Sequence, residues 1–94
     1  MEELASEDWS QIAHAEMQLP LIRPLQAISV ARQANVIRHW LKTLYGEIPQ
    51  AAQLSELLRQ IKACTTRGHR IHLKVGSGHV QRRGSMLVWL KERE

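Results

Sequence analysis

Residues 70–91 read RIHLKVGSGHVQRRGSMLVWLK, and this stretch decides the fold. Its first part alternates apolar Ile71, Leu73 and Val75 with polar or charged residues, the period of a strand that buries one face. Two Gly-Ser pairs, at 76–77 and 84–85, have the length and composition of two-residue hairpin loops. The stretch therefore predicts an antiparallel meander of three strands.

The two short loops also predict which residues face each other. The expected pairs are Val75 with Gly78, Leu73 with Val80, Ile71 with Arg82, Lys74 with His79, His72 with Gln81, Arg70 with Arg83, Leu87 with Arg82, and Trp89 with Val80. This register places Leu87 and Trp89 on the core face and leaves Met86, Val88 and Leu90 on the basic face. Because that strip is too apolar for free solvent, we expect either a bulge that reverses the register or a covering domain.

Two helices are predicted upstream of the meander. The first runs from about Ser29, a suitable N-cap, to Tyr45, and Gly46 ends it. Its apolar residues recur at helical spacing and predict one buried stripe, formed by Val30, Ala34, Ile37, Leu41 and Leu44. Pro49 precedes the second helix, expected over residues 50–65. That helix is expected to bury Ala51, Leu54, Leu57, Leu58, Ile61 and Cys64.

The N-terminal part is less regular. Residues 1–15 have the periodicity of a helix, with Trp9 and Ile12 among its apolar residues. Pro20 and Pro24 then enclose residues 21–23, which we expect to form an extended connection because each proline restricts the residue before it. The predicted fold class is α+β, with two or three helices packed on one face of the small three-stranded meander.

Length and composition limit the classes of protein. A chain of 94 residues has room for one compact domain. Its single cysteine, Cys64, excludes an intramolecular disulfide and fits a reducing compartment. The apolar runs are far shorter than the ~20 residues that a membrane-spanning helix needs, and the acidic N-terminus does not resemble a secretory signal. We therefore expect a soluble, cytoplasmic protein with no membrane partner.

Charge is distributed unevenly along the chain. Residues 1–20 carry five acidic and no Lys or Arg residues, whereas residues 21–94 carry 13 basic and four acidic ones. The basic residues are densest between Arg67 and Arg83, where there is no acid. A surface of this sign attracts polyanions, of which nucleic acid is the commonest in the cytosol, although small basic domains are often merely solvated.

The sequence predicts neither a catalytic nor a metal site. His72 and His79 share a strand face, but they are diagonal and have no acidic ligand nearby, and His69 and Cys64 complete no recognisable zinc pattern. The Gly-Ser-Gly at 76–78 is better explained as a turn than as a phosphate-binding loop, since no helix follows it. Trp40 and Trp89 could stack on bases, but in a domain of this size we expect them in the core.

Phosphate binding demands less exact geometry than catalysis, because Lys and Arg act as charges. The strand register places Arg70, Lys74 and Arg83 on the exposed face of the hairpin and Arg82 near the rim of the core. Arg32 and Arg38 lie on the long helix. Without a platform for stacking bases, this set favours a structured RNA duplex over a sequence motif.

The run ISVARQANVIRHWL at 28–41, followed by Pro49 and by Gln81-Arg82 before a Leu-x-Trp strand, resembles the substrate-binding domain of bacterial tRNA(Ile)-lysidine synthetase over about residues 20–91. In that family a serine opens the helix and arginines follow, as here at Arg32 and Arg38. The sequence departs from the family pattern at Gln50, where a serine is usual, and at 81–83, where an Arg-Arg-Tyr run is replaced by Gln-Arg-Arg.

The resemblance implies an acidic helical lead-in or linker at residues 1–19 and a tRNA substrate-binding domain at 20–94. The family's enzyme is an ATP-dependent ligase that joins lysine to the wobble cytidine of an isoleucine tRNA. Its catalytic Ser-Gly-Gly-x-Asp-Ser loop has no counterpart here, so this chain should be inactive alone and hold no cofactor. ATP and Mg²⁺ are implied for the missing domain. The expected partners are tRNA and the N-terminal catalytic domain of the same polypeptide.

A second interpretation remains open at this point. The chain could be a protein-interaction module without nucleic-acid function, which would use the apolar strip of Met86, Val88 and Leu90 to bind its partner.

Overall fold

The described part of the chain contains four helices and one sheet, which confirms the predicted α+β class. The computed structural model describes residues 2–65 and 70–92, with side chains described from Glu7 onward. In chain order the elements are α1 (Glu2–Ile12), α2 (Ile22–Gln26), α3 (Val30–Tyr45), α4 (Ala51–Ala63), β1 (His72–Val75), β2 (Gly78–Arg83) and β3 (Met86–Lys91). Of the residues discussed above, Arg67 and His69 lie outside the described part.

The sheet is the predicted antiparallel meander, in the order β1-β2-β3. Leu73 pairs with Val80 and Val80 pairs with Trp89, as the two short loops require. Beyond the end of β1, the Arg82 N–H donates to the Ile71 carbonyl at 3.0 Å. The expected pairing of Arg70 with Arg83 lies outside the strand ladder, because β1 begins only at His72.

The apolar strip on β3 is not explained by a bulge. Pairing of β2 with β3 runs without interruption from Gly78 and Lys91 to Arg83 and Met86. Val88 is nevertheless only 8% exposed, whereas Leu90 is 46% exposed. The strip is thus partly buried within the domain itself, and the expected reversal of register is wrong.

Trp89 joins the sheet to the helices. Its indole Nε1 donates to the Val75 carbonyl on β1 at 3.0 Å, and its ring lies 4.7 Å from the ring of Tyr45, at the end of α3. A Cβ atom at Gly78 would come within 2.6 Å of the indole. Any side chain at this position would therefore clash with the Trp89 ring and with the Leu90 carbonyl oxygen.

Helix α3 begins and ends where the sequence predicts. The Ser29 side chain accepts a hydrogen bond from the Arg32 N–H at 3.3 Å, which caps the first turn. Gly46 adopts the left-handed conformation, with φ of 66°, and its N–H donates to the Lys42 carbonyl. Only glycine takes up this conformation without strain, so the helix stops there.

The buried face of α3 differs from the predicted stripe. Val30 and Leu44 are 57% and 45% exposed, so both expectations are wrong. The buried residues are Gln33, Val36, Ile37, Trp40 and Leu41. Gln33 tolerates burial because its Nε2 donates to the Ile28 carbonyl at 3.0 Å. The helix is therefore rotated relative to the orientation that apolar spacing alone indicates.

Residues 21–23 are the second departure, since only Leu21 is extended and Ile22–Gln26 form α2. Pro24 is the third residue of this helix, where its missing N–H would have no intrahelical partner. The Gln26 Nε2 donates to the Ile61 and Cys64 carbonyls at 2.8 and 2.9 Å. The Gln26 side chain of this short helix thus supplies hydrogen bonds to backbone carbonyls at the C-terminal end of α4.

Helix α4 starts at Ala51, one residue after the predicted start, and ends at Ala63 rather than at residue 65. Leu54, Leu57 and Ile61 are buried in the core, which also takes in Cys64 after the helix end. Leu58 packs partly buried against the core, whereas Ala51 is exposed, contrary to expectation.

We expect Leu41→Ala to lower the free energy of unfolding by ~2–5 kcal/mol, because Leu41 is fully buried and its loss leaves a cavity. Leu44→Ala is the matched control on the same helix. It removes a partly exposed side chain, so its effect should be below ~1 kcal/mol. Urea unfolding of both variants measures the difference, and equal losses would contradict the observed rotation of α3.

Candidate nucleic-acid interface

Lys74 and Arg83 lie on the outer face of the sheet, away from the core. Lys74 pairs with His79, and Arg83 pairs with Met86 at the far end of β2. Both basic side chains are exposed. The Lys74 Nζ is 3.5 Å from a Glu92 carboxylate oxygen, but both side chains are at least half exposed. An exposed ion pair of this kind contributes little free energy, so a phosphate group can compete with Glu92 for Lys74.

Two histidines lie beside Lys74 on this face. The rings of His72 and His79 stack with their centroids 5.2 Å apart and their planes at 18°. Within the described ranges there is no group of three or more His, Cys, Asp or Glu side chains that could hold a metal ion. The histidines therefore add polar surface to the basic face.

The β1–β2 turn, next to Lys74, is anchored to the loop between α3 and α4 and to α4 itself. The Glu47 Oε1 accepts hydrogen bonds from the Ser77 N–H and hydroxyl, both at 2.6 Å. These bonds lower the pKa of Glu47. The Gly76 N–H donates to the Gln53 side chain, near the start of α4, at 3.1 Å. The turn that follows β1 is thus held against α4 and the loop before it.

Arg70 and Arg82 lie at the same end of the sheet but differ in exposure. Arg70 is exposed and lies two residues before β1. Arg82 is half-buried, and its Nε donates to the Gly84 carbonyl at 2.8 Å. Arg82 also lines a groove of about 680 Å³, together with Arg23 from α2.

Arg32 is held by a carboxylate. Its Nε and Nη2 donate to the two oxygens of Asp8 on α1, at 3.1 and 2.5 Å. Asp8 is only 4% exposed. Hydrogen bonds from the Arg32 guanidinium, together with its positive charge, lower the pKa of Asp8, although burial acts in the opposite direction. The same hydrogen bonds raise the pKa of Arg32. The two side chains therefore form a bidentate ion pair that fastens α1 to α3.

Arg38 is exposed and lies on another side of α3. It lies six positions after Arg32, which places the two side chains roughly 120° apart around the helix. The six predicted binding residues thus form no single patch. Lys74 and Arg83 share the outer sheet face, Arg70 and Arg82 lie near its end, and Arg32 and Arg38 lie on the helix.

The sequence does not predict two features of this region, the place of Arg23 in the groove and the pairing of Asp8 with Arg32. Arg23 was not a candidate because its segment was expected to be extended, and a proline at the third position of a helix was the available signal. Asp8 was grouped with the other acidic residues of the N-terminal segment. No local pattern relates it to Arg32, 24 residues away.

Comparison with known proteins settles the family. A family model described as the TilS substrate binding domain matches residues 21–88, which are most of the chain. The chain belongs to this family. The matched range contains the groove and all six predicted binding residues, whereas Asp8 precedes it.

Curated proteins named tRNA(Ile)-lysidine synthase are similar to this TilS substrate-binding domain. One from Polaromonas naphthalenivorans is 54% identical over 87 residues, 93% of the chain and 25% of the relative. One from Bordetella pertussis is 37% identical over 68 residues, 71% of the chain and 21% of the relative. One from Enterobacter sp. strain 638 is 30% identical, over 97% of the chain and 21% of the relative. The chain thus spans about a quarter of the length of these relatives or less.

In the described part of the chain, none of the helices is both long and apolar enough to cross a lipid bilayer.

The Asp8–Arg32 pair gives a pH-dependent prediction. Because folding lowers the pKa of Asp8 below its ordinary value of 3.8, the pair stabilises the fold fully above that value and less as the pH falls through the folded-state pKa. We expect Arg32→Ala to lower the melting temperature at about pH 7, because it leaves a buried carboxylate without its partner. The difference from the unmodified chain should shrink as the pH falls below 3.8 and Asp8 takes up a proton.

Arg38→Ala is the matched control, since it removes an arginine from the same helix without breaking an observed ion pair. Its melting temperature should change by no more than about two degrees. The variant Asp8→Asn/Arg32→Ala should recover part of the stability lost in Arg32→Ala. If Arg32→Ala melts like Arg38→Ala at about pH 7, the ion pair does not stabilise the fold.

Proposed function

We propose that this domain helps to hold an isoleucine tRNA within a tRNA(Ile)-lysidine synthase by binding RNA phosphates. The observation that carries the proposal is the exposed basic face of the sheet, which bears Lys74 near one end and Arg83 at the other, in a member of the TilS substrate-binding family. Relatives named for the modification of tRNA(Ile) support the choice of RNA. The role needs charge and shape, and it needs no catalytic group in this domain.

The contacts favour Lys74, Arg83 and Arg70 as phosphate ligands, since all three are exposed. Arg38 is the candidate on the helix. Arg82 would contribute from the rim of the core. Arg32 is the weakest candidate among the six, because a phosphate would have to compete with the two oxygens of Asp8 for its guanidinium.

The rest of the reaction belongs to a separate catalytic domain of the same polypeptide in this proposal. That domain would bind ATP and Mg²⁺ and join lysine to the wobble cytidine, in the cytoplasm. The present domain would present the tRNA body to it and increase the time for which the substrate stays bound. The small share of the relatives' length that this chain covers is consistent with such a division of labour.

The protein-interaction interpretation fits the structure less well. In that interpretation Met86, Val88 and Leu90 would form the docking strip. However, Val88 is buried, with 8% of its surface exposed, and Met86 is half-buried. Of the three, Leu90 alone is classed as exposed, at 46%. One exposed side chain is ordinary on a protein surface and does not form an apolar docking face.

The proposal is tested by binding of a folded isoleucine tRNA at several salt concentrations. We expect log K to fall linearly with log salt concentration, and Lys74→Ala or Arg83→Ala to reduce the slope by about one each. Arg59→Ala is the control, because Arg59 is an exposed arginine on α4 that pairs with Glu56. Binding that is insensitive to salt, or equal slopes for all three variants, would contradict the proposal.

Arg82→Ala should behave differently from Lys74→Ala. Because Arg82 is half-buried and bonded to the Gly84 carbonyl, its replacement should lower the melting temperature as well as tRNA affinity. Lys74→Ala should melt within about two degrees of the unmodified chain. Thermal melting of both variants beside tRNA titration separates the effects, and the opposite pattern would show that the two side chains have exchanged roles.

A further inference from the structure

A groove lies on a different side of the domain from the exposed face of the sheet. It runs between α2, the end of α4 and the β2–β3 turn, and its volume is about 680 Å³. This size falls within the range of ~300–1,000 Å³ that is usual for small-molecule sites. A flat basic surface is enough to bind the phosphates of an RNA duplex. A groove of this size therefore points to a smaller ligand that enters it.

The lining of the groove has two chemically distinct parts. Leu21, Ile22 and Pro24 give it an apolar surface, and Arg23 and Arg82 give it two positive charges. Thr65 and Ser85 add hydroxyl groups. Among the described residues that line it there is no carboxylate. An anion with an apolar, planar part attached complements both surfaces at once.

The walls of the groove are already fixed. The Ile22 N–H donates to the Ser85 carbonyl at 2.9 Å, which ties α2 to the β2–β3 turn. Gln26 bonds to the carbonyls at the end of α4, and the Arg82 Nε is held by Gly84. Because these bonds set the width of the groove before any ligand arrives, little ordering is needed on binding.

We propose that this groove binds one unpaired nucleotide of RNA. Its phosphate would lie against the guanidinium groups of Arg23 and Arg82, and its base would pack on the apolar side chains. A base inside a duplex cannot reach such a recess, whereas an unstacked nucleotide at a loop, bulge or strand end can. The inference rests on the proposed RNA-binding function and adds a site that discriminates unpaired from paired RNA.

The direct test is NMR titration of the ¹⁵N-labelled 94-residue chain with cytidine monophosphate, with inorganic phosphate, and with a short RNA as single strand and as duplex. We expect cytidine monophosphate and the single strand to shift the amides of Ala27, Thr65 and Ser85 saturably. Inorganic phosphate should bind about tenfold more weakly, because it lacks the base. Equal binding of phosphate and nucleotide, or no shifts at the groove, would overturn the proposal.

Two variants examine the two parts of the lining. Ser85→Trp fills the groove without removing a charge, and it keeps the backbone bond to Ile22. Arg23→Ala removes a charge from an exposed residue that lines the groove. Both should weaken binding of the nucleotide about tenfold. Arg59→Ala removes the same charge outside the groove and should leave nucleotide binding unchanged, and thermal melting verifies that each variant is folded.

Titration with intact tRNA distinguishes this inference from the proposed function. If tRNA binds with the expected salt dependence but folded Ser85→Trp and Arg23→Ala bind nucleotide as the unmodified chain does, the groove proposal is wrong and the tRNA-holding role stands. If tRNA itself does not bind, both are wrong. Loss of nucleotide binding in both variants, with Arg59→Ala unaffected, supports the groove as the site.

Discussion

The fold depends on the burial of Trp89 between the sheet and the helices. Its indole reaches from β3 across β2 to the carbonyl of Val75 on β1, so one side chain joins all three strands. The same ring lies against the ring of Tyr45. The Tyr45 ring centroid in turn lies 5.9 Å from that of Trp40, a core residue on α3. Gly78 provides the space for this arrangement. A sheet of only three short strands gains stability chiefly from packing of this kind.

The arginines of the domain illustrate two uses of one side chain. Arg32 is bound by a buried carboxylate and orders a helix pair, whereas Arg83 is exposed on a sheet whose position is set by other contacts. Counting positive charges does not separate these roles, because both residues contribute equally to the net charge. The difference between them is whether an acidic side chain already accepts hydrogen bonds from the N–H groups of the guanidinium. Assigning RNA contacts in small basic domains therefore requires the tertiary structure.

The meander could be predicted from sequence because two-residue turns and a period of two leave few alternative registers. The ends of α3 could also be predicted, since Ser29 and Gly46 cap the helix through contacts with residues next to them in sequence. The rotation of α3 was not, because it depends on α1 and on Asp8, far away in sequence. Likewise α2, which contains Pro24 and follows Pro20, could not be recognised from the sequence, and neither could the position of Arg23 in the groove. Local signals thus indicated the elements and the basic face, while contacts between distant segments determined the concave site.

The segment before α2 has a consequence for how the sheet meets other chains. The Pro20 carbonyl accepts from the Leu87 N–H at 2.9 Å, and Leu21 bridges to Met86, so part of the outer edge of β3 is already paired. The opposite edge belongs to β1, which has four residues and bears Lys74. Short, charged or covered edges discourage the addition of foreign strands. The sheet is thereby protected against edge-to-edge aggregation, a hazard for any small sheet that has a solvent-facing side.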